Sequence, residues 1–315
     1  MELIRGLHNL RARHHGCVLT VGNFDGVHLG HQRILRRLRE EADARDLPAT
    51  VMLFEPQPAE FFAPETAPTR LMPLRDKLRA LARAGVDRVL CVRFNADFRA
   101  YTAAGFVREL LVEALGTRFL VVGDDFRFGA DRQGDFPLLC REGERYGFAV
   151  EDTPTCILDG ERVSSTRVRQ ALADHDHQAA ARLLGRPYSV SGRVRHGDEL
   201  GRTLGVPTAN LALRHRRLPI QGVHAVRVHG ADTEVRDAVA NVGRRPTVQG
   251  EEPRLEVHLL DFSGDLYRRH LEVDFLHFLR PERTFDGLDA LRDAINHDID
   301  RARAWFRNQG ARNSR

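Results

Sequence analysis

The segment Gly22-Asn23-Phe24-Asp25-Gly26-Val27-His28-Leu29-Gly30-His31 concentrates the residue types with the most direct chemical meaning in the chain. It follows the apolar run Val18–Val21 and opens the amphipathic run Gln32–Ala44, an order that reads as strand, tight turn and helix. A helix N-terminus offers unpaired N–H groups and the positive end of the helix dipole, which suits a phosphate. Gly30 would let the backbone approach that phosphate, and His28 and His31 can donate to its oxygens as charge builds during displacement. The chain contains one lysine, Lys77, and no G-x-x-x-x-G-K-[ST] loop. Phosphate charge must therefore be met by backbone N–H groups, arginine, histidine and metal. Lys77 itself, inside a predicted helix and among the charges Arg75-Asp76-Lys77, is expected at the surface.

Further polar clusters follow. In Val163-Ser164-Ser165-Thr166-Arg167-Val168-Arg169, hydroxyls stand at a helix N-cap and Arg169 lies one turn in. Ser164 and Ser165 could bind phosphate oxygens and Arg169 could neutralise pyrophosphate; a plain N-cap is the alternative. Gly123–Gly129 sets Asp124 and Asp125 beside Phe126 and Phe128, which suits a flat ring and a ribose or adenine. Phe54–Pro58 with Phe61 and Phe62 is similar, and simple core packing explains both equally well. Gly201–Asn210 is a stiff loop. If its end is extended, Thr208 and Asn210 share a face and offer hard oxygen ligands for Mg²⁺ shared with ATP; on its own the segment reads better as a tight β-turn with polar edge residues. In Leu255–Leu259, Glu256 and His258 alternate away from apolar residues, and Glu256 could serve as general base for an alcohol; taken alone, a solvated strand face is the safer reading. Asp174–His177 has metal-like spacing but is expected to be a solvated loop. His14, His15 and Arg214–Arg217 are expected at the surface.

The elements that would position these groups fall into two sets. Apolar runs at Val18–Val21, Thr50–Phe54, Arg88–Phe94, Phe119–Gly123 and Phe148–Glu151 alternate with helical patterns at Leu74–Gly85, Ala103–Leu115 and Leu138–Tyr146. Alternation predicts an α/β Rossmann-like domain with a parallel sheet, whose ligand sits at the carboxyl ends of the strands. Residues 1–186 are assigned to it, closed by helices at Thr166–Ala173 and His177–Leu184. Residues 187–315 carry short β-rich runs separated by Gly, Pro and charged turns. They predict a small antiparallel β-barrel, sealed by a last helix after Asp286 through Leu288, Leu291, Ile295 and Ile299. The tail from Asn308 is expected to fray.

At 315 residues two domains are the natural expectation. The net charge is +4 although the pI is about 9.1, a balance that suits phosphorylated substrates better than nucleic acid. No apolar run approaches the ~18 residues of a membrane span. No leader pattern is visible, and the four cysteines are widely spaced. A reduced cytoplasmic protein with no nucleic-acid or membrane partner is expected.

Taken together and in this order, the motifs resemble the bacterial bifunctional riboflavin kinase/FMN adenylyltransferases, or FAD synthetases, over nearly the whole chain. Gly22–His31, Phe54–Pro58, Gly123–Gly129 and Ser164–Arg169 resemble the adenylyltransferase module. Gly201–Asn210, Asn241–Thr247 and Glu256 resemble the kinase module. Val206 stands where an aromatic is common, and Asp125 where Asn also occurs. The resemblance implies phosphorylation of riboflavin by ATP to FMN, then adenylylation of FMN by a second ATP to FAD with release of pyrophosphate. It implies His28, His31 and Glu256 as catalytic residues. Gly22, Asn23, Phe24, Asp25, Gly30, Asp125, Ser164, Ser165, Thr166 and Arg169 would bind the adenylyl-donating ATP. Gly201, Arg202, Gly205, Pro207, Thr208 and Asn210 would bind the kinase ATP, with Thr208 and Asn210 on Mg²⁺. Phe62 and Phe128 would contact flavin. Two rivals are another nucleotidyltransferase, which leaves the β-rich half unexplained, and a non-catalytic nucleotide- or RNA-binding protein, which has no need of Glu256.

Overall fold

The computed structural model describes residues 1–197, 204–213, 217–247 and 250–313. They form two compact units: Met1–Pro68 with Met72–Ser164, and Thr69–Leu71 with Ser165–Arg315.

The first unit is built on a six-stranded sheet: β1 (Glu2–Arg5), β2 (Cys17–Val21), β3 (Ala49–Phe54), β4 (Arg88–Val92), β5 (Thr117–Gly123) and β6 (Ala149–Thr153), in the order β1-β4-β3-β2-β5-β6. Every pairing in it is parallel. β2 is buried at every residue, as a central parallel strand covered on both faces must be. Its alternate side chains feed two cores. Cys17, Leu19 and Val21 pack with Phe106, Leu110 and Leu111, while Val18 packs with Leu35, Leu38 and Leu81. Helices fill the connections: α1 (Leu29–Arg45), α2 (Pro58–Phe62), α3 (Leu74–Arg83), α4 (Ala96–Arg99), α5 (Ala103–Gly105) and α6 (Phe136–Tyr146). α5 runs on as a π-helix over Phe106–Ala114, where a single helix to Leu115 was expected. β1 was not anticipated, because four residues at a sheet edge carry no period. The chain order reverses between β2 and β5, which makes their carboxyl ends the switch point where such sheets take ligands. A hairpin of β7 (Ile157–Leu158) and β8 (Glu161–Arg162) follows β6.

The second unit begins with α7 (Ser165–Ala173) and α8 (His177–Leu184). A closed antiparallel barrel then runs β10-β13-β12-β11-β14-β9: β9 (Tyr188–Arg195), β10 (Ala209–Leu211), β11 (Gly222–His229), β12 (Arg236–Thr247), β13 (Gly250–Leu259) and β14 (His270–Arg280). Period-two patterning is clearest in β14, where Leu271, Val273 and Phe275 are buried and the residues between them are not. α9 (Leu288–Asn313) packs Ile299, Ala302 and Phe306 onto Val223, Ala225 and Val239 of the barrel. Two expectations about this helix change. Leu288 is 57% exposed and seals nothing, and the helix continues through Asn313 instead of fraying from Asn308.

Three surface assignments are overturned. Lys77 is 0% exposed: helical period puts it, with Leu81, on the inward stripe of α3. His14 is buried, its Nδ1 accepting the Arg11 N–H at 3.0 Å while Nε2 meets Glu2 at 3.2 Å. His177 is buried on α8 rather than solvated, since it hydrogen-bonds His224 of β11 at 2.9 Å.

Candidate active sites

The turn after β2 enters α1 through three left-handed residues, Phe24 (φ 47°), Gly26 (φ 84°) and Val27 (φ 45°). A β-branched residue in that region is strained, and such strain persists only where the surroundings over-determine it. Here Phe24 and Val27 are both buried in the core under α1 and α3. His28 is the N-cap of α1, and its Nδ1 accepts the His31 N–H at 3.3 Å. That bond puts the proton of a neutral His28 ring on Nε2. The His28 and His31 rings stack, centroids 3.7 Å apart, and His31 also leans on Phe24 at 5.0 Å. Gly30 lets α1 begin close under the His28 ring, which a Cβ there would crowd at 3.2 Å. Burial, then the neighbouring His28, then Lys77 hold the His31 pKa well below the ordinary histidine value, so this ring is neutral at physiological pH. Its buried Nδ1 has no hydrogen-bond partner among the described residues.

These rings line a cavity of about 920 Å³ at the switch point. Gly22, Asn23, Phe24, Gly30, Phe62, Asp125, Phe128 and Ser164 line it too. Asp25 does not; it is 2% exposed and accepts the Met72 N–H at 3.3 Å. Ser165, Thr166 and Arg169 belong to the second unit, where Arg169 Nε donates to the Thr69 carbonyl at 2.6 Å. The two flavin candidates differ. Phe128 is 6% exposed and packed against Phe106 and Phe126. Phe62 is 56% exposed on the cavity, braced edge-on by Phe61 and Phe94 with the Arg99 guanidinium over its ring at 5.3 Å. A residue not anticipated is Arg162 of β8, which lines the same cavity and pairs with Asp125 at 2.7 Å. Its only sequence signal was its place two residues before Ser164.

In the barrel, Glu256 of β13 stands directly between Asn210 of β10 and Asn241 of β12 in the strand register. All three, with Thr208, line a second cavity of about 320 Å³ walled by Leu291, Ile295 and Ile299 of α9. Two residues beyond Glu256, His258 Nδ1 donates to the Pro207 carbonyl at 2.8 Å and so pins the Pro207–Asn210 segment to β13. Arg254 lies 3.5 Å from Glu256. The Asn241 Oδ1 is buried with no hydrogen-bond partner among the described residues. Half-buried Arg280 and buried Asp298 pair at 2.8 Å and tie α9 to β14 beside the cavity. Gly205 takes the left-handed turn (φ 79°) its loop needs, whereas Gly201 and Arg202 lie outside the described residues. The hydroxyl of Thr208, the amide oxygens of Asn210 and Asn241 and the Glu256 carboxylate make a hard oxygen donor set, which fits Mg²⁺.

Residues 10–167 match the family model described as FAD synthetase, and residues 184–306 match that described as riboflavin kinase. A protein of Escherichia coli K12 named bifunctional riboflavin kinase/FMN adenylyltransferase is 55% identical over 307 residues, covering 97% of this chain and 98% of its own. This chain belongs to the bifunctional riboflavin kinase/FMN adenylyltransferase family. A Pseudomonas fluorescens protein of the same name is 56% identical over 305 residues, 96% of this chain and 97% of its own. A crystal structure from Streptococcus pneumoniae, described as a macrolide-efflux protein, superposes with a TM-score of 0.83 at 32% identity, covering 97% of this chain and all of that one. No described helix of the present chain is long and apolar enough to cross a membrane. Family membership accounts for the pairing of a parallel-sheet unit with a closed barrel: riboflavin kinase and FMN adenylyltransferase are its two activities.

Proposed function

We propose that the two reactions divide between the two cavities, with the functional boundary at Arg186/Pro187. At the sheet, the FMN phosphate attacks the α-phosphorus of ATP and pyrophosphate leaves. His28 and His31 donate to the α-phosphate oxygens, with Gly22, Asn23, Phe24, Asp25, Gly30 and Asp125 shaping the nucleotide pocket. Ser164, Ser165, Thr166 and Arg169 hold the β- and γ-phosphates. Phe62 offers a face to the isoalloxazine ring, and Phe128 supports that wall from the core. The work is positioning and electrostatics, with no covalent enzyme intermediate. The observation that carries this reading is the stacked His28/His31 pair, with His28 buried, at a helix N-terminus on the sheet's switch point.

In the barrel, Glu256 accepts the proton of the ribityl 5′-hydroxyl as that oxygen attacks the γ-phosphorus of ATP and ADP leaves. Gly201, Arg202, Gly205 and Pro207 form the ATP loop, and Thr208 and Asn210 hold Mg²⁺. The ion, when bound, neutralises charge on the phosphates. Riboflavin, FMN and ATP are the partners, no nucleic acid or membrane is required, and the free cysteines together with the need for ATP favour the cytoplasm.

The test follows riboflavin, FMN and FAD by chromatography in the purified chain and two variants. H31A should lose FAD formation by about a hundredfold or more while phosphorylating riboflavin at close to the wild-type rate. E256A should lose FMN formation yet convert supplied FMN to FAD. Loss of both activities in either folded variant would refute the two-site division.

A further inference from the structure

Among 48 lysine and arginine residues this chain keeps one lysine, and that lysine is fully buried. An ammonium is a compact point charge, where a guanidinium is a broad planar fork, so the two are not interchangeable in a sealed site. A buried ammonium also demands an anion. α3, which carries Lys77, is docked onto the phosphate turn on both sides of that residue. Ahead of it, the Met72 N–H donates to Asp25 Oδ1 at 3.3 Å; one turn beyond it, Leu81 packs in the same core as Phe24 and Val27. Two carboxylates are buried among the described residues of this unit, Asp25 and Glu41. Glu41 is engaged by Arg37 and Arg45 on α1. Asp25 lies inside the strained turn itself, between left-handed Phe24 and left-handed Val27.

We propose that Lys77 is a positioning residue for adenylyl transfer: its ammonium, balanced by the Asp25 carboxylate, locks the Phe24–Val27 turn and fixes a positive charge behind His31. The charge that a P-loop lysine would bring into contact with phosphate is here set one layer deeper. His31 feels it, after burial and His28, as a force that keeps the ring neutral. A neutral ring placed in that field offers an N–H toward developing negative charge without reorganising during the reaction. Lys77 thereby acts through His31 and the turn, not on substrate.

The inference rests on the assignment of adenylyl transfer to His28 and His31, and H31A in the same assay separates the two. Persistent FAD formation in H31A overturns the assignment; persistent FAD formation in K77M alone overturns the inference. K77M in the full chain should lower kcat for FMN to FAD by about tenfold or more, with the KM for ATP changed far less. The His31 ring, followed by NMR, should titrate at higher pH than in the wild type. A kcat within twofold of wild type, or a slow enzyme whose His31 titration has not moved, would overturn it. Where K77M does not fold, D25N/K77M, which leaves no buried charge uncompensated, is measured in its place. Wild-type kcat in that double variant would reduce Lys77 to neutralising Asp25; a low kcat with His31 titrating upward supports the proposal.

Discussion

The buried histidine pair of the second unit makes acid sensitivity calculable. The His224 Nε2 donates to the Gln221 carbonyl at 3.0 Å, which leaves its Nδ1 as an acceptor. His177 Nε2 must then donate to that Nδ1 at 2.9 Å. A proton added to His224 would set two N–H groups against each other. Burial, then His175, push the His177 pKa down to about 4; burial, then His177, push that of His224 down to about 3. Both folded values lie below the ordinary 6.5, so the unfolded chain binds more protons between them. Stability is therefore complete above pH 6.5 and falls as pH drops toward 4. Between pH 7 and 4.5 one such histidine costs about 2.4 kcal/mol; independent sites would double that, and coupling holds the pair below the sum. The assay is guanidinium unfolding read by Trp305, the single tryptophan, which lies on α9 half-buried against the core between that helix and the barrel. Because Trp305 stacks on His277 at 5.4 Å, the midpoint rather than the intensity is the readout. His277, also held below its ordinary value by burial, and the carboxylates titrate in both proteins compared. H177Q/H224Q should lose less stability than the wild type over this range, by about 2 kcal/mol or more. Parallel stability profiles for the two proteins would refute the reasoning.

Three further outcomes follow from the sites. N241A should lower kcat/KM for riboflavin phosphorylation by about tenfold, the worth of one hydrogen bond of roughly 1.4 kcal/mol, and leave FMN adenylylation unchanged in steady-state kinetics. D298N should destabilise the Trp305-reported transition by about 3 kcal/mol, because the largely buried Arg280 is left without its charge partner; an unchanged unfolding midpoint would contradict this. F62A should raise the KM for FMN severalfold without altering the KM for ATP, and equal effects on both would move the flavin elsewhere in the cavity.

The parts of this molecule legible in its sequence are those written in period or in turn chemistry. The central strands show as apolar runs, the barrel as short β-rich runs between turns, and the phosphate turn as three glycines spaced around two histidines. Glu256 was visible because strand alternation sets it opposite Leu255 and Val257, which are buried. What stayed hidden depends on partners far along the chain. The charged neighbours of Lys77 suggest a surface position, yet Arg75 is exposed and Asp76 half-buried while Lys77 follows Leu81 inward. His177 looked like part of a solvated Asp-His repeat, and only His224, 47 residues away, makes its burial tolerable. Arg162 reads as one more basic residue until β8 turns it toward Asp125. Lys77 and His177 are buried, and His177 and Arg162 each meet a partner far along the chain, which no local pattern announces. Composition offered one clue to this class that pattern did not: in a chain so committed to arginine, the single lysine is a buried one. Rare residue types in a biased sequence thus repay attention as candidates for buried, paired charge, and the K77M measurement decides whether this one serves the chemistry.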